Sequence, residues 1–375
     1  MSSLRGIPAT SDSGEELLFA ALRAQLGAAA GTNGAPLEES GIRKALFLAE
    51  IEQLDALAAR GLLALGAPEG TLDLAERSAR ALRRALLLEC DRLALSRTFL
   101  EKSIRHVFFK GALSDALWWG AQGLRGATDL DVLIDRKSAA AAAEILRGLG
   151  YERKLMPSHQ ATLDAMKECS YVSREPGRFP IDLHFGLLND PPYRDPGAAV
   201  LDRAVSYQTA SGMIPGLSQE DMLVHAGGNL GQKGFMERLK LTLDATCLLL
   251  KEPLDADLVA SRAGSCGVAI PLWGLLRLVQ ERLAVPVPQD LLDRLAPPPL
   301  LQSWVMHIAG VRRVFDRPSR SGIALLMVDW PLSGRIAWPL RATCRWARLR
   351  LADRRRRAER GSATAWPRGS RACPG

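Results

Sequence analysis

Apolar residues near the start of the chain recur at intervals of three and four, as in Leu17, Leu18, Ala21, Leu22 and Leu26. That period predicts an amphipathic helix beginning at Glu15. A Gly/Asn/Pro-rich break at 27–37 ends it, and further helices are expected over 42–61 and, rich in Leu and Arg, over 72–102. The pattern then shortens. Val107-Phe108-Phe109 reads as a buried strand, and 112–119 as a helix ended by Gly120. A strand at 130–134 follows, then a helix over 138–149 closed by Gly150. Strands are also expected at 151–155, 170–174 and 181–185.

Strands alternating with helices imply an α/β core with a small mixed sheet, inside an α+β chain whose two flanks are helical. After Asn189-Asp190-Pro191-Pro192 the pattern reads as helical again. Leu217-Ser218-Gln219-Glu220-Asp221 is a helix start with Ser218 as N-cap, and helices are expected at 219–230, 235–251, 255–263 and on to about 314. Four regions result: helical 1–103, a core at 104–200, helical 201–329, and a Pro-, Trp- and Arg-rich tail at 330–375. There is no internal repeat.

Composition adds two points. With 47% hydrophobic and 24% charged residues in 375, this is an ordinary soluble globular chain. The net charge of +8 is uneven, since the stretch from Ser333 onward holds twelve Arg, no Lys and two acids, which leaves the body near −2. The tail carries Arg354-Arg355-Arg356-Arg357, and before it Leu340, Cys344, Ala347 and Leu351 keep helical spacing. A short amphipathic helix docked on the body is the plainer reading; contact with nucleic acid or an anionic membrane surface is the alternative. Six single cysteines without a CxxC pair exclude the common zinc patterns and fit reduced thiols. No secretory signal pattern and no apolar run of roughly 18 residues is found, so a cytoplasmic protein is expected.

The chemistry concentrates at Asp129-Leu130-Asp131. Alternate strand residues share a face, so both carboxylates lie side by side while Leu130, Val132 and Ile134 turn to the core. Like charges that close raise a pKa unless a cation lies between them, and a hard divalent ion with oxygen ligands, Mg²⁺ first, suits the position. A two-metal phosphoryl-transfer site needs a third carboxylate, for which Asp182 in Ile181-Asp182-Leu183-His184 is the candidate. His184 shares its face and could orient a carboxylate or contact a nucleotide. The Lys110-Gly111 turn opens a helix whose free N–H groups could receive phosphate. Arg125 could clamp a phosphate, and Thr128 and Ser114 could bond phosphate oxygens or serve as turn and cap hydroxyls. Arg238 and Lys240 could reach a triphosphate from the following helical region, although Lys240 and Asp244, one turn apart, also suit an ordinary ion pair.

Together these segments resemble a known group. Phe109-Lys110-Gly111-Ala112-Leu113, Arg125-Gly126-Ala127-Thr128-Asp129-Leu130-Asp131-Val132-Leu133-Ile134, Gly150-Tyr151, Ile181-Asp182-Leu183-His184, Leu217-Ser218-Gln219-Glu220-Asp221 and the helix with Arg238-Leu239-Lys240 and Asp244 look like the uncharacterised bacterial nucleotidyltransferase-like family of the polymerase-β-type superfamily. The similarity spans roughly residues 85–250. It implies a small mixed sheet bearing metal-binding Asp129, Asp131 and Asp182, and a Gly111 turn that holds nucleotide phosphates. The implied activity is transfer of an NMP from an NTP to a hydroxyl-type acceptor (a sugar, small metabolite or peptide) with Mg²⁺ or Mn²⁺, often within a biosynthetic gene cluster. The alternative is a catalytically silent nucleotide- or partner-binding module on the same fold. Ala112 stands where Ser or Gly is usual, and Asn229 where a second histidine is often found.

Overall fold

The computed structural model describes residues 13–28, 37–120, 122–154, 167–189, 193–235, 238–251 and 253–311. The basic tail at 330–375, the first twelve residues and Leu155 at the end of an expected strand lie outside them.

Thirteen α-helices and seven strands are described. Helices α1 (Ser13–Gln25), α2 (Glu39–Ile51), α3 (Asp55–Ala64) and α4 (Leu74–Glu101) form the N-terminal layer. The core follows: β1 (His106–Phe108), α5 (Gly111–Trp118), β2 (Leu130–Ile134), α6 (Ala139–Gly148), β3 (Tyr151–Arg153), β4 (Glu168–Ser173), β5 (Ile181–His184), α7 (Ala199–Asp202), β6 (Val205–Thr209) and β7 (Gly212–Gly216). Six further helices complete it: α8 (Gln219–Gln232), α9 (Arg238–Lys251), α10 (Ala256–Cys266), α11 (Ala269–Leu283), α12 (Gln289–Leu295) and α13 (Pro299–Val311). Helices surround a mixed sheet, as expected of an α+β chain.

The sheet runs β3-β4-β5-β2-β1-β7-β6, with β2/β5 and β1/β7 parallel and the other pairs antiparallel. All five residues of β2 are buried, so its apolar side chains pack on a covered sheet, as a strand at the centre of a mixed sheet requires. The C-terminal helices pack as a second body, α8 against α9, α10 and α11. They also meet the N-terminal layer: the Arg282 guanidinium donates to Glu16 Oε1 at 2.9 Å, and Arg23 Nη1 donates to the Arg282 carbonyl at 2.8 Å.

Four local outcomes bear on the sequence reading. Gly150 follows α6 at φ +85°, the left-handed geometry that ends helices on glycine. Ser218 caps α8, its hydroxyl accepting from the Asp221 backbone N–H at 3.2 Å. The helix expected over 42–61 is instead two, α2 and α3, broken at Glu52-Gln53-Leu54 with Gln53 at φ +56°. The stretch after 200, read as helical, first makes the β6–β7 hairpin, which extends the sheet by two strands.

Candidate active site

Two parallel strands set the site. In the β2/β5 register Asp131 lies opposite Asp182 and Leu133 opposite His184. In the antiparallel β4/β5 register Glu168 lies opposite His184. Residues directly opposite in a sheet share a face, so Asp131, Asp182, His184 and Glu168 project to one side. Asp131, Asp182 and His184 each offer one ligand atom, and these atoms lie within 4.8 Å of one another.

The cluster is dry at its base, with Asp131 3% and His184 1% exposed and Asp182 half-buried. Asp131 Oδ1 accepts from Lys110 Nζ at 2.5 Å and lies 2.8 Å from His184 Nε2. Burial pushes this carboxyl up, but Lys110 and His184 overcome it and hold Asp131 well below the ordinary carboxylate range. His184 Nδ1 is buried and 3.3 Å from Glu168 Oε2, outside hydrogen-bonding geometry. Burial raises the Glu168 carboxyl and His184, Lys167 and Lys110 outweigh it, leaving a net lowering.

Asp129 lies outside the close triad but within its field. Burial, and then repulsion from Asp131, raise it to about 6; Lys110 opposes this and Asp182 adds to it. An acid raised in this way by neighbouring carboxylates is one that a cation would relieve. The donor set of carboxylates and an imidazole fits a divalent ion.

Around this centre the expected phosphate contacts separate. Lys110 caps α5 at φ +56°, ψ −139°, a strained conformation for a residue with a side chain, and its ammonium also lies 5.1 Å from the Phe109 ring centre. Burial lowers the Lys110 ammonium, but Asp131 reverses this and leaves it raised. Gly111 permits close approach of the chain, since a Cβ there would meet Ala127 Cβ at 2.6 Å. Ser114 is buried in α5, and the exposed Thr128 hydroxyl donates to Asp129 Oδ1 at 3.3 Å.

Arg125, expected to clamp a phosphate, has its fork closed inside the protein. Nε and Nη2 donate to Asp244 at 2.9 and 2.6 Å, and Nη1 to the Gly126 carbonyl at 2.8 Å. The same pairing settles Asp244: its partner is Arg125, not Lys240. Lys240 is half-buried on α9, and burial followed by repulsion from Arg125 lowers it to about 8, against attraction from Glu52, Asp129 and Asp244. Arg238 opens α9, and its side chain lies outside what the structure describes.

Sequence reasoning passed over three residues near the centre. Glu168 falls two positions before Ser170, so extending that strand backward at period two would have found it. Lys167 is carried next to it. His225, not Asn229, is the histidine that faces the site from α8, four residues after Asp221 on the same helical face. Its ring meets Phe109 edge-on at 5.1 Å, and Phe109 meets His184 edge-on at 4.9 Å. Burial, then the Lys110 charge, hold the His225 imidazole well below its usual pKa.

No helix of the described residues is long and apolar enough to cross a membrane. Among curated proteins, none matches this chain. The model of one protein family does match, over residues 38–284, a span that takes in α2 through α11 with the whole sheet and the carboxylate cluster. With more than half of its length matched, the chain belongs to the uncharacterised nucleotidyltransferase family.

Proposed function

We propose that this protein transfers an NMP from an NTP to a hydroxyl group of a sugar, small metabolite or peptide, breaking the α–β phosphoanhydride and releasing pyrophosphate, in the cytoplasm, with Mg²⁺ or Mn²⁺. The observation that carries the proposal is the in-register pairing of Asp131 with Asp182 on parallel strands, with His184 beside them, in a nucleotidyltransferase-family chain. Asp131 and Asp182 would hold the cation with Asp129, which burial and then repulsion from Asp131 raise to about 6. A bound divalent ion supplies charge neutralisation at the phosphates. An imidazole among the ligands suits Mn²⁺ at least as well as Mg²⁺.

This chain's own groups do the rest. The Lys110 ammonium adds positive charge beside Asp131, and the start of α5 at Gly111 turns free N–H groups toward a phosphate. Ser114 and Thr128 are the neighbouring hydroxyls. Lys240, lowered to about 8 yet still mostly protonated at neutral pH, reaches Asp129 with its field and would meet the triphosphate from α9 with Arg238. Asp182, less buried than Asp131, accepts the proton of the acceptor hydroxyl. Arg125 acts through the loop it braces.

The test is incubation with labelled NTPs and Mg²⁺, comparing wild type with Asp129→Asn. Loss of a charge-stabilising ligand costs about a hundred-fold or more in turnover; equal turnover in the two proteins sinks the proposal. One observation favours a second reading, a nucleotide-binding module without catalysis: Lys110 already neutralises Asp131. Calorimetry showing Mg²⁺-dependent ATP binding with no turnover on any acceptor would establish that reading instead.

A further inference from the structure

Transfer at the α-phosphate runs in line, so the acceptor oxygen and the leaving pyrophosphate stand on opposite sides of it. The sheet order fixes which side is which. β1, with Lys110 and the start of α5 behind it, flanks β2 on one side, while β5 and then β4 lie on the other. With the phosphates taken up at the start of α5, an acceptor reaches Asp182 from the β4 side.

The surface of β4 suits that approach. Ser170 lies opposite Asp182 and Glu168 opposite His184, so both share the carboxylate face, and Val172 follows them at period two. Directly opposed residues have Cβ atoms about 4.5–5.5 Å apart, so no side chain comes between Ser170 and Asp182. The face is open. The Glu168 side chain is 46% exposed, Ser170 is half-buried and Val172 is 36% exposed, whereas Cys169 and Tyr171 turn into the core. The Ser170 hydroxyl is engaged by no neighbour among the described residues. Lys167 Nζ reaches the same side, 3.6 Å from Glu168 Oε2. Glu152, opposite Val172 on β3, accepts from Arg174 Nε at 2.6 Å. These charges are paired, with the exposed Lys154 beyond them at the end of β3.

We propose that this face of β4 is the acceptor site, and that its ligand is an uncharged sugar held by Ser170, Glu168 and Lys167 with one hydroxyl over Asp182. This deepens the nucleotidyl-transfer reading and rests on it. A carboxylate accepts from neighbouring hydroxyls, an ammonium donates to another, and a serine hydroxyl does either, which is the inventory a run of sugar hydroxyls requires. A carboxylate and an ammonium already paired leave no surplus charge to select an anion. In the transfer the sugar oxygen bonds the α-phosphorus, the α–β phosphoanhydride breaks, pyrophosphate leaves, and the hydroxyl proton passes to Asp182.

The experiment follows pyrophosphate release by the full chain from mixed NTPs and Mg²⁺, in water alone and with glucose, N-acetylglucosamine, glucose 6-phosphate or a serine tripeptide. Wild type is compared with Ser170→Val, Glu168→Gln and Asp129→Asn. Valine suits a half-buried strand position, so Ser170→Val removes the hydroxyl and keeps the strand. The expected result is release accelerated about ten-fold or more by an uncharged sugar. The KM for that sugar rises about five-fold in Ser170→Val and about ten-fold in Glu168→Gln, while the KM for NTP in Ser170→Val stays within about two-fold. The proposal is overturned if no uncharged sugar accelerates release, or if only glucose 6-phosphate or the peptide does. It is also overturned if both variants keep the wild-type sugar KM, or if the NTP KM of Ser170→Val rises as much as its sugar KM. Asp129→Asn keeps the failures apart. Release in water that this variant abolishes, but that no sugar raises, leaves the transfer reading standing and removes the acceptor site. Release absent from wild type, or unchanged in Asp129→Asn, sinks both.

Discussion

Asp131 is a carboxylate taken almost wholly out of water, which is tolerable because an ammonium and an imidazole flank it. Lys110 reaches it only by holding its backbone at φ +56°, a strain of about 1–3 kcal/mol that a residue without this contact would not sustain. If a divalent ion and the ammonium serve the same charge, removing the ammonium should matter most when no ion is present. Lys110→Met should therefore lose about 3 kcal/mol of stability in urea denaturation with a chelator, and Mn²⁺ should restore part of it. A loss that is the same with and without Mn²⁺ would separate Lys110 from the cation site. The residue scale was also the most legible in sequence. The period-two spacing of Asp182 with His184 named side chains that do share a sheet face, while Asp129 falls one residue before β2. The sequence named Asp129 with Asp131 and Asp182, whereas the ligand atoms within 4.8 Å of one another are those of Asp131, Asp182 and His184, because strand register across β2 and β5 is a tertiary property.

The loop before β2 is held by a pairing between elements 119 residues apart. Arg125 is fully enclosed, bidentate to Asp244 on α9, and Gly126 behind it takes φ +65° with its Cα against Gln53. A Cβ on Gly126 would meet the Gln53 carbonyl at 2.2 Å. That contact lies at the α2–α3 break, which no Gly or Pro in the sequence announces. Asp244→Ala should leave a buried, uncompensated guanidinium and cost about 3–5 kcal/mol in chemical denaturation, with nucleotide binding lost alongside as the loop loosens. A cost within about 0.5 kcal/mol, the range of an ordinary surface substitution, would show that the pairing does not brace the loop. The β6–β7 hairpin escaped sequence reading for a different reason. It sits at the sheet edge with β6 exposed or half-exposed throughout, so no buried face imposes a clean alternation on Val205–Thr209.

Across the whole molecule, two histidines are folded in as neutral groups. Burial lowers His106, bonded to Ser96 and the Ile104 carbonyl, and lowers His225 further. A histidine whose folded pKa lies below its unfolded value of 6.5 stabilises the fold above that value, and the contribution is lost as pH falls toward the folded pKa. Asp129, raised to about 6, works the other way, since its protonation removes a buried charge and its repulsion from Asp131 in the folded state. With both buried histidines losing their contribution over this range, the urea midpoint should fall between about pH 7 and pH 5, and fall less in His225→Asn. An acid loss as large in His225→Asn as in wild type would show that His225 is not buried neutral. At this scale the sequence yielded the fold class and the helical flanks, because long amphipathic periods survive any context. The pocket between the chain after β5, α8 and α10 was invisible to it, since those segments meet only in space.

The central claim is that Asp131 and Asp182 act as a pair toward one divalent cation, and equilibrium Mn²⁺ binding followed by electron paramagnetic resonance addresses it most directly. Wild type should bind Mn²⁺ saturably, and Asp131→Asn and Asp182→Asn should each weaken it by about a hundred-fold while circular dichroism stays unchanged. Folded variants that bind Mn²⁺ as tightly as wild type would contradict the account.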